Sequence, residues 1–161
     1  MQVVGLHKED SEYQVACLNK HKNGIAIEFL DKRRELLPFS KETMIATGIE
    51  GQDLLIRHLK SPLKNRRALQ KTLPFQLEAL IPYSLDEVLV KPIYIREEEE
   101  TQGTFFTVSK ECFEKYLNRS QEEGIDPEWV SVIPMALYRF GEFISPEVKT
   151  LVIFHVGHKS T

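Results

Sequence analysis

The sequence is short of cysteine, of long apolar runs and of positive charge, and each shortage removes a class of protein. Two cysteines, Cys17 and Cys112, among 161 residues cannot build a disulfide framework or a four-cysteine zinc site. A reducing, cytosolic home is the simpler expectation. No apolar stretch approaches the ~18 residues of a membrane-spanning helix, and the opening MQVVGLHKED lacks the basic-then-apolar layout of a signal peptide. The chain is therefore expected neither to cross a membrane nor to be exported by a signal of its own, although it can sit against one. With 21 Lys and Arg against 24 Asp and Glu, the net charge is -3, which argues against bulk electrostatic capture of nucleic acid. No repeat at a solenoid period is visible, and low complexity is confined to the acid run Glu97-Glu98-Glu99-Glu100.

What is present suits a globular protein: 42% hydrophobic and 28% charged residues. A chain of this length buries roughly 70% of its unfolded surface, enough to fold without a metal or disulfide. The first sixty residues read as strands. Val3–Leu6 is apolar, and residues 12–18 alternate with Tyr13, Val15 and Cys17 on one side. Lys22-Asn23-Gly24 is a hairpin turn leading to a partner strand, Ile25–Leu30. Thr43–Thr47 is a short strand ended by Gly48, and a turn at Glu50-Gly51 precedes the strand Leu54–Leu59.

At Ser61-Pro62 the period changes, with Ser61 as helix cap and Pro62 at the first helical position. Leu69, Leu73, Leu77 and Leu80 form a helical stripe that Pro74 either splits into two helices or kinks, and Pro82 closes it. Residues 87–96 form a strand and Thr104–Val108 its return, with the acid run and Thr101-Gln102-Gly103 as the loop. Ser109 caps a helix burying Phe113, Tyr116 and Leu117, and Gly124 stops it. The stripe Leu69 to Leu80 and these three aromatic and leucine residues are expected to pack on the hairpin over 86–108. Trp129–Ile133 is then a strand, Pro134 to about Phe143 a helix, and Thr150–Phe154 an apolar strand leading into HVGHKST.

Several of these stretches resemble the actin-like proteins of type IV pilus assembly, PilM, and the cytoplasmic part of the type II secretion protein GspL. The most specific piece is Leu73-Pro74-Phe75-Gln76-Leu77-Glu78, followed by Ile81-Pro82 and the strand from Asp86 to Ile95. Thr47-Gly48 with Arg57-His58-Leu59, and Glu123-Gly124-Ile125 with Val130–Leu137, are similar to the segments that flank the family's inserted subdomain. The resemblance implies an α/β (α+β) chain, the N-terminal half of an actin-like (ribonuclease H-like) fold with an inserted small α+β subdomain. Residues 1–60 plus 127–148 would form the first subdomain, 61–126 the helix-strand-strand-helix insert, and 149–161 the start of a truncated second half.

Actin-like nucleotidases use two hairpin loops with an Asp-x-Gly pattern, the carboxylate organising Mg²⁺ and the glycine admitting the phosphates. The matching positions here are His7-Lys8-Glu9 and His155-Val156-Gly157. Histidine replaces both acids, and Glu9 replaces a glycine with a charge that repels phosphate. The resemblance therefore implies no hydrolysis, no nucleotide cofactor and no catalytic residue, the phosphate-loop positions His7, Glu9, His155 and Gly157 being degenerate. If it does not hold, His7 is a polar residue at a strand end and HVGHKST a frayed tail. Gly157 with Lys159-Ser160-Thr161 lacks phosphate-loop spacing, and His155 with His158 lacks a third metal ligand nearby. Cys17, in a strand pattern, is expected to be a packing residue. Lys64, Arg67 and Lys71 share a helix face that is either solvated or meets an acidic partner or anionic headgroups.

The expected role is a non-hydrolysing scaffold on the cytoplasmic side of a secretion or pilus machine, near its inner membrane. It would hold the tail of an inner-membrane protein or the assembly ATPase, with the groove between the subdomains as the natural place. A nucleotide-binding actin-like ATPase, or an unrelated α+β interaction domain, is the alternative.

Overall fold

The computed structural model describes residues 1–22, 24–36, 38–40, 42–63, 65–96, 100–148 and 150–155, without the side chains of residues 66, 73, 74, 95 and 96. The chain folds into two compact units, Met1–Gln52 with Arg119–Thr161, and Asp53–Asn118.

The first unit is built on a five-stranded sheet. Strand β1 (Gln2–Glu9) pairs antiparallel with β2 (Glu12–His21), which pairs with β3 (Gly24–Arg33). On the other side of β1 lie β4 (Met44–Ile49) and then β8 (Trp129–Val132), both parallel, for the order β3-β2-β1-β4-β8. Period-two alternation decides which side is buried: Val4, Leu6, Tyr13, Val15 and Cys17 form one core with Ile125, and Leu36, Phe39 and Ile45 pack against it. The final helix of this unit, here α3 (Ile133–Ile144), starts with Pro134 in its first turn, as its sequence predicts. Gly48 lies inside β4 and does not end it. A Cβ at this position would stand 2.6 Å from Ile133 Cδ1, so the absence of a side chain lets Ile133 approach the strand.

The second unit has a three-stranded sheet of order β5-β7-β6, formed by β5 (Leu55–Ser61), β6 (Val88–Arg96) and β7 (Thr101–Ser109). Strand β5 was expected with the first sixty residues but pairs with β7, from Leu55↔Thr107 to Ser61↔Thr101. The alternation in β5 defines a strand; it says nothing about which partner it takes. Residues 101–103 are strand rather than loop for the same reason, since Thr101–Gly103 find partners in both β5 and β6. The turn at Asn23 and the acid residues Glu97–Glu99 lie outside the described residues.

Helix α1 (Arg66–Glu78) begins later than the Ser61-Pro62 signal suggested. Asn65 is its cap, accepting from Arg67 N at 2.9 Å, whereas Ser61 is buried at the end of β5 with Leu63 N donating to its hydroxyl. The helix runs through Pro74 as one segment and ends at Glu78, before Pro82. Leu69 and Leu77 are buried against Ile81, Val88 and Phe105, but Leu80 is 43% exposed and falls off the stripe, because the helix has already ended there. Leu73's side chain is outside the described set. Helix α2 (Lys110–Glu122), within which the two units divide, is capped by Ser109, whose hydroxyl accepts from Cys112 N. Its Phe113, Tyr116 and Leu117 are half-buried. Residues 150–155 form no strand, since no described strand pairs with them; Leu151 and Ile153 instead lie over Gly141 of α3.

Leu77, with no exposed surface, separates the helical stripe from its neighbours energetically. Urea denaturation of Leu77→Ala is expected to show a loss of about 2–5 kcal/mol. Leu80→Ala is expected to stay within about 0.5 kcal/mol of the parent.

Candidate functional site

The β1–β2 hairpin places the residues singled out by sequence. Its tip is Asp10-Ser11, and Asp10 takes a φ of 53°, a left-handed conformation that aspartate tolerates. Because two residues close the turn, His7, Lys8 and Glu9 lie in paired strand, opposite Gln14, Tyr13 and Glu12. The expected loop at 7–9 is therefore strand, and the turn lies one residue further along the chain.

Pleating then sorts these side chains onto opposite faces. Leu6, Lys8 and Tyr13 share the core face, while His7, Glu9 and Gln14 share the other. On the second face Gln14 Nε2 donates to Glu9 Oε2 at 2.9 Å. His155 arrives there from the C-terminal segment, its ring edge-on to that of His7 with centroids 6.2 Å apart and planes at 75°. The two histidines that stand where the resemblance expects carboxylates are thus brought together across 148 positions of sequence. Gly157 and His158 lie outside the described residues. Among the described residues no group of three or more His, Cys, Asp or Glu side chains is placed to hold a metal ion.

Sequence reasoning missed the cluster on the core face. Lys8 Nζ donates to Glu123 Oε1, Tyr13 OH donates to Glu123 Oε2 at 2.7 Å, and Arg119 Nε lies 3.4 Å from Glu123 Oε1. The Lys8 ammonium also stands 5.1 Å from the centre of the Tyr13 ring. Glu123 reaches this place because α2 ends in a Schellman turn: Ile125 N donates to Ser120 O and Gly124 N to Gln121 O, with Gly124 at φ 75°. The only signal in sequence was Gly124 itself, recognised as a helix stop; nothing local tells that the residue before it meets the hairpin.

Burial alone would push the Glu123 carboxyl up, but hydrogen bonds from Lys8 and Tyr13 and the charges of Lys8 and Arg119 outweigh it and hold it below its ordinary value. The hydrogen bond to Glu123 raises Lys8, against a smaller opposing effect of burial. Tyr13 is raised by burial and then by its bond to the carboxylate. The lysine of the hairpin is therefore engaged on the face opposite the histidine pair and is not offered to an anion there.

No family model and no curated protein matches the sequence. Solved structures do match in fold. The chain is similar to a structure titled "PilM-PilN type IV pilus biogenesis complex", with a TM-score of 0.65 and 16% identity over 90% of this chain and 52% of that one. It is similar as well to the cytoplasmic domain of EpsL, described as an inner membrane component of the type II secretion system of Vibrio cholerae. There the TM-score is 0.54 and the identity 12% over 82% of this chain and 57% of that one. The chain has a PilM/GspL-like fold. It spans little more than half the length of either structure. No helix among the described residues is long and apolar enough to cross a membrane.

The Glu123 cluster yields a pH dependence. A carboxyl held below its unfolded value adds stability that is present above that value and is lost as pH falls through the folded one. Lys8, held above its unfolded value, adds stability that persists below it and is lost as pH rises through the folded one. Glu123→Gln is expected to cost about 1–3 kcal/mol at neutral pH. Its deficit relative to the parent should shrink on acidification below the ordinary carboxylate value of 4.5 and again on strong alkalisation beyond the ordinary lysine value of 10.5, as read from denaturation midpoints across pH.

Proposed function

We propose that this chain is a non-hydrolysing, actin-like scaffold of a type II secretion or type IV pilus assembly machine, working on the cytoplasmic face of the inner membrane. Its partners in that role are proteins: the tail of an inner-membrane component or the assembly ATPase. The fold likeness to a PilM–PilN complex and to the EpsL cytoplasmic domain supports the setting. The observation that carries the absence of hydrolysis is the meeting of His7 with His155 on the face where Glu9 also lies, with Lys8 engaged by Glu123 on the other face. Imidazole nitrogens are not the oxygen ligands that Mg²⁺ prefers, and Glu9 opposes an incoming phosphate.

In this proposal the first unit is the first actin-like subdomain and the second unit is its insert, with the borders drawn at residues 53 and 118 rather than 61 and 126 because β5 joins the second sheet. Residues from 149 onward would open the second half. Exposed apolar side chains on α3 and after it support that assignment: Phe140, Phe143, Ile144, Val152 and Phe154 would all be covered by such a half.

Two measurements test the proposal. Millimolar ATP with magnesium is expected to leave the melting temperature unchanged, where a ligand at 100 times its dissociation constant would add about 2.7 kcal/mol. A rise abolished by EDTA would revive a nucleotide-binding ATPase. Isothermal titration with cytoplasmic tail peptides of inner-membrane components of such machines is expected to show saturable binding to one of them, and binding to none would remove the tail-holding role.

A further inference from the structure

Strand β3 ends the five-stranded sheet, and no described strand pairs with its outer side. Residues 24–32 are exposed, including Ile25 at 52%, Ile27 at 53% and Leu30 at 70%. A long strand with a bare edge is a template for another strand, and proteins ordinarily blunt such edges with proline, inward charges or shortness. β3 has ten residues and no proline. Its charges gather at one end, where Asp31 binds Lys32 N and Arg33 Nε. Glu28, the one acid in mid-strand, is tied back onto its own sheet by Gln2 Nε2, Asn19 Nδ2 and Cys17 Sγ.

A bulge determines which strand can fit. The register passes from Cys17↔Phe29 to Leu18↔Ile27, leaving Glu28 as an extra residue on β3. Directly opposed residues share a face, so Phe29 and Asp31 lie on the face of Cys17 and Val15, which is the core side. Ile25, Ile27, Leu30 and Lys32 lie on the other. Ile27 and Leu30 are three residues apart yet on one face, which a regular strand does not permit. A regular incoming strand would therefore match faces on only one side of Glu28.

A second copy of β3 carries the same irregularity. Laid antiparallel about a two-fold axis with Ile27 opposite Leu30, it matches faces along its whole length: Ile25 meets Lys32, Ala26 meets Asp31, and Gly24 meets Arg33. Glu28 stands opposite Phe29, so the extra residue of one copy is accommodated by that of the other. No charge stands directly opposite a like charge. A slip of one residue in one direction sets Glu28 against Glu28 and Ile27 against Phe29; a slip in the other sets Ile27 against Asp31. Both place facing residues on opposite sides of the sheet.

We propose that β3 is a self-association edge, two copies of this chain pairing antiparallel in the Ile27–Leu30 register to continue one sheet across a two-fold axis. The two isoleucines and two leucines about the axis make its apolar centre. This is independent of the scaffold role and of any nucleotide.

Sedimentation equilibrium from micromolar to submillimolar concentration is expected to show a monomer–dimer equilibrium. Ile27→Lys and Leu30→Glu, both at exposed positions, should each weaken dimerisation roughly tenfold or more while leaving the melting temperature of the dilute protein unchanged. Leu30→Glu keeps the test valid if Ile27→Lys folds poorly. The register is read by disulfide formation in a Cys112→Ser background, Cys17 being buried. A mixture of Ile27→Cys and Leu30→Cys proteins should cross-link, and neither alone should do so appreciably. A monomer throughout the range, a dimer indifferent to both charged substitutions, or equal cross-linking in the single-variant samples would overturn the proposal.

Discussion

The turn that ends α2 holds the first unit together. Gly124 reverses the chain at a positive φ, and its neighbours on either side then do different work. Ile125 enters the core beside Val4, Leu6 and Val15, while Glu123 binds Lys8 and Tyr13 of the first hairpin. These contacts join residues more than a hundred positions apart, so the chain leaves the first sheet, builds a second unit and returns to a prepared place. The parallel pairing of β8 with β4 follows from that return, as does the Glu128 carboxylate accepting from Ile45 N. A charged pair that is only partly buried contributes modestly by itself. Here its value is positional, because the same turn seats an apolar residue whose burial is worth more.

The two faces of the hairpin have separate chemistry. On the core side, the positive and negative groups satisfy one another and stabilise the fold. On the other side, Gln14 donates to Glu9 and the rings of His7 and His155 meet edge-on. A phosphate site asks for the reverse arrangement, with lysine and backbone donors facing the anion and glycine giving access. Strand pleating alone produces this division, since adjacent residues cannot share a face. Lys8 follows Val4 and Leu6 at two-residue spacing in β1 and so falls on the core side.

Much of the secondary structure was legible in the residues. The alternation of Tyr13, Val15 and Cys17, the cap at Ser109, the stop at Gly124 and the proline-led α3 all appear where local chemistry placed them. Each is a local effect: a pleat with one buried face, a hydroxyl beside free N–H groups, a residue that tolerates positive φ. The misplaced features are those a neighbour decides. Ser61 looks like a cap, yet β7 claims it as strand; Leu80 continues the leucine spacing beyond a helix that has stopped. Thr150–Phe154 has strand composition but meets no described strand to pair with.

The sequence by itself determined the order and type of most elements, because propensity, pleating and capping act over a few residues. The resemblance to PilM and GspL also singled out His7 and His155, at the positions where it implies acids. Only the tertiary structure decided that their rings meet, that Lys8 is held by Glu123 on the other face, and that β5 belongs to the second sheet. Such pairings connect positions tens to more than a hundred residues apart, and their energies depend on which surfaces the fold brings together. Period and composition report which face of a strand is buried; they do not report what covers it.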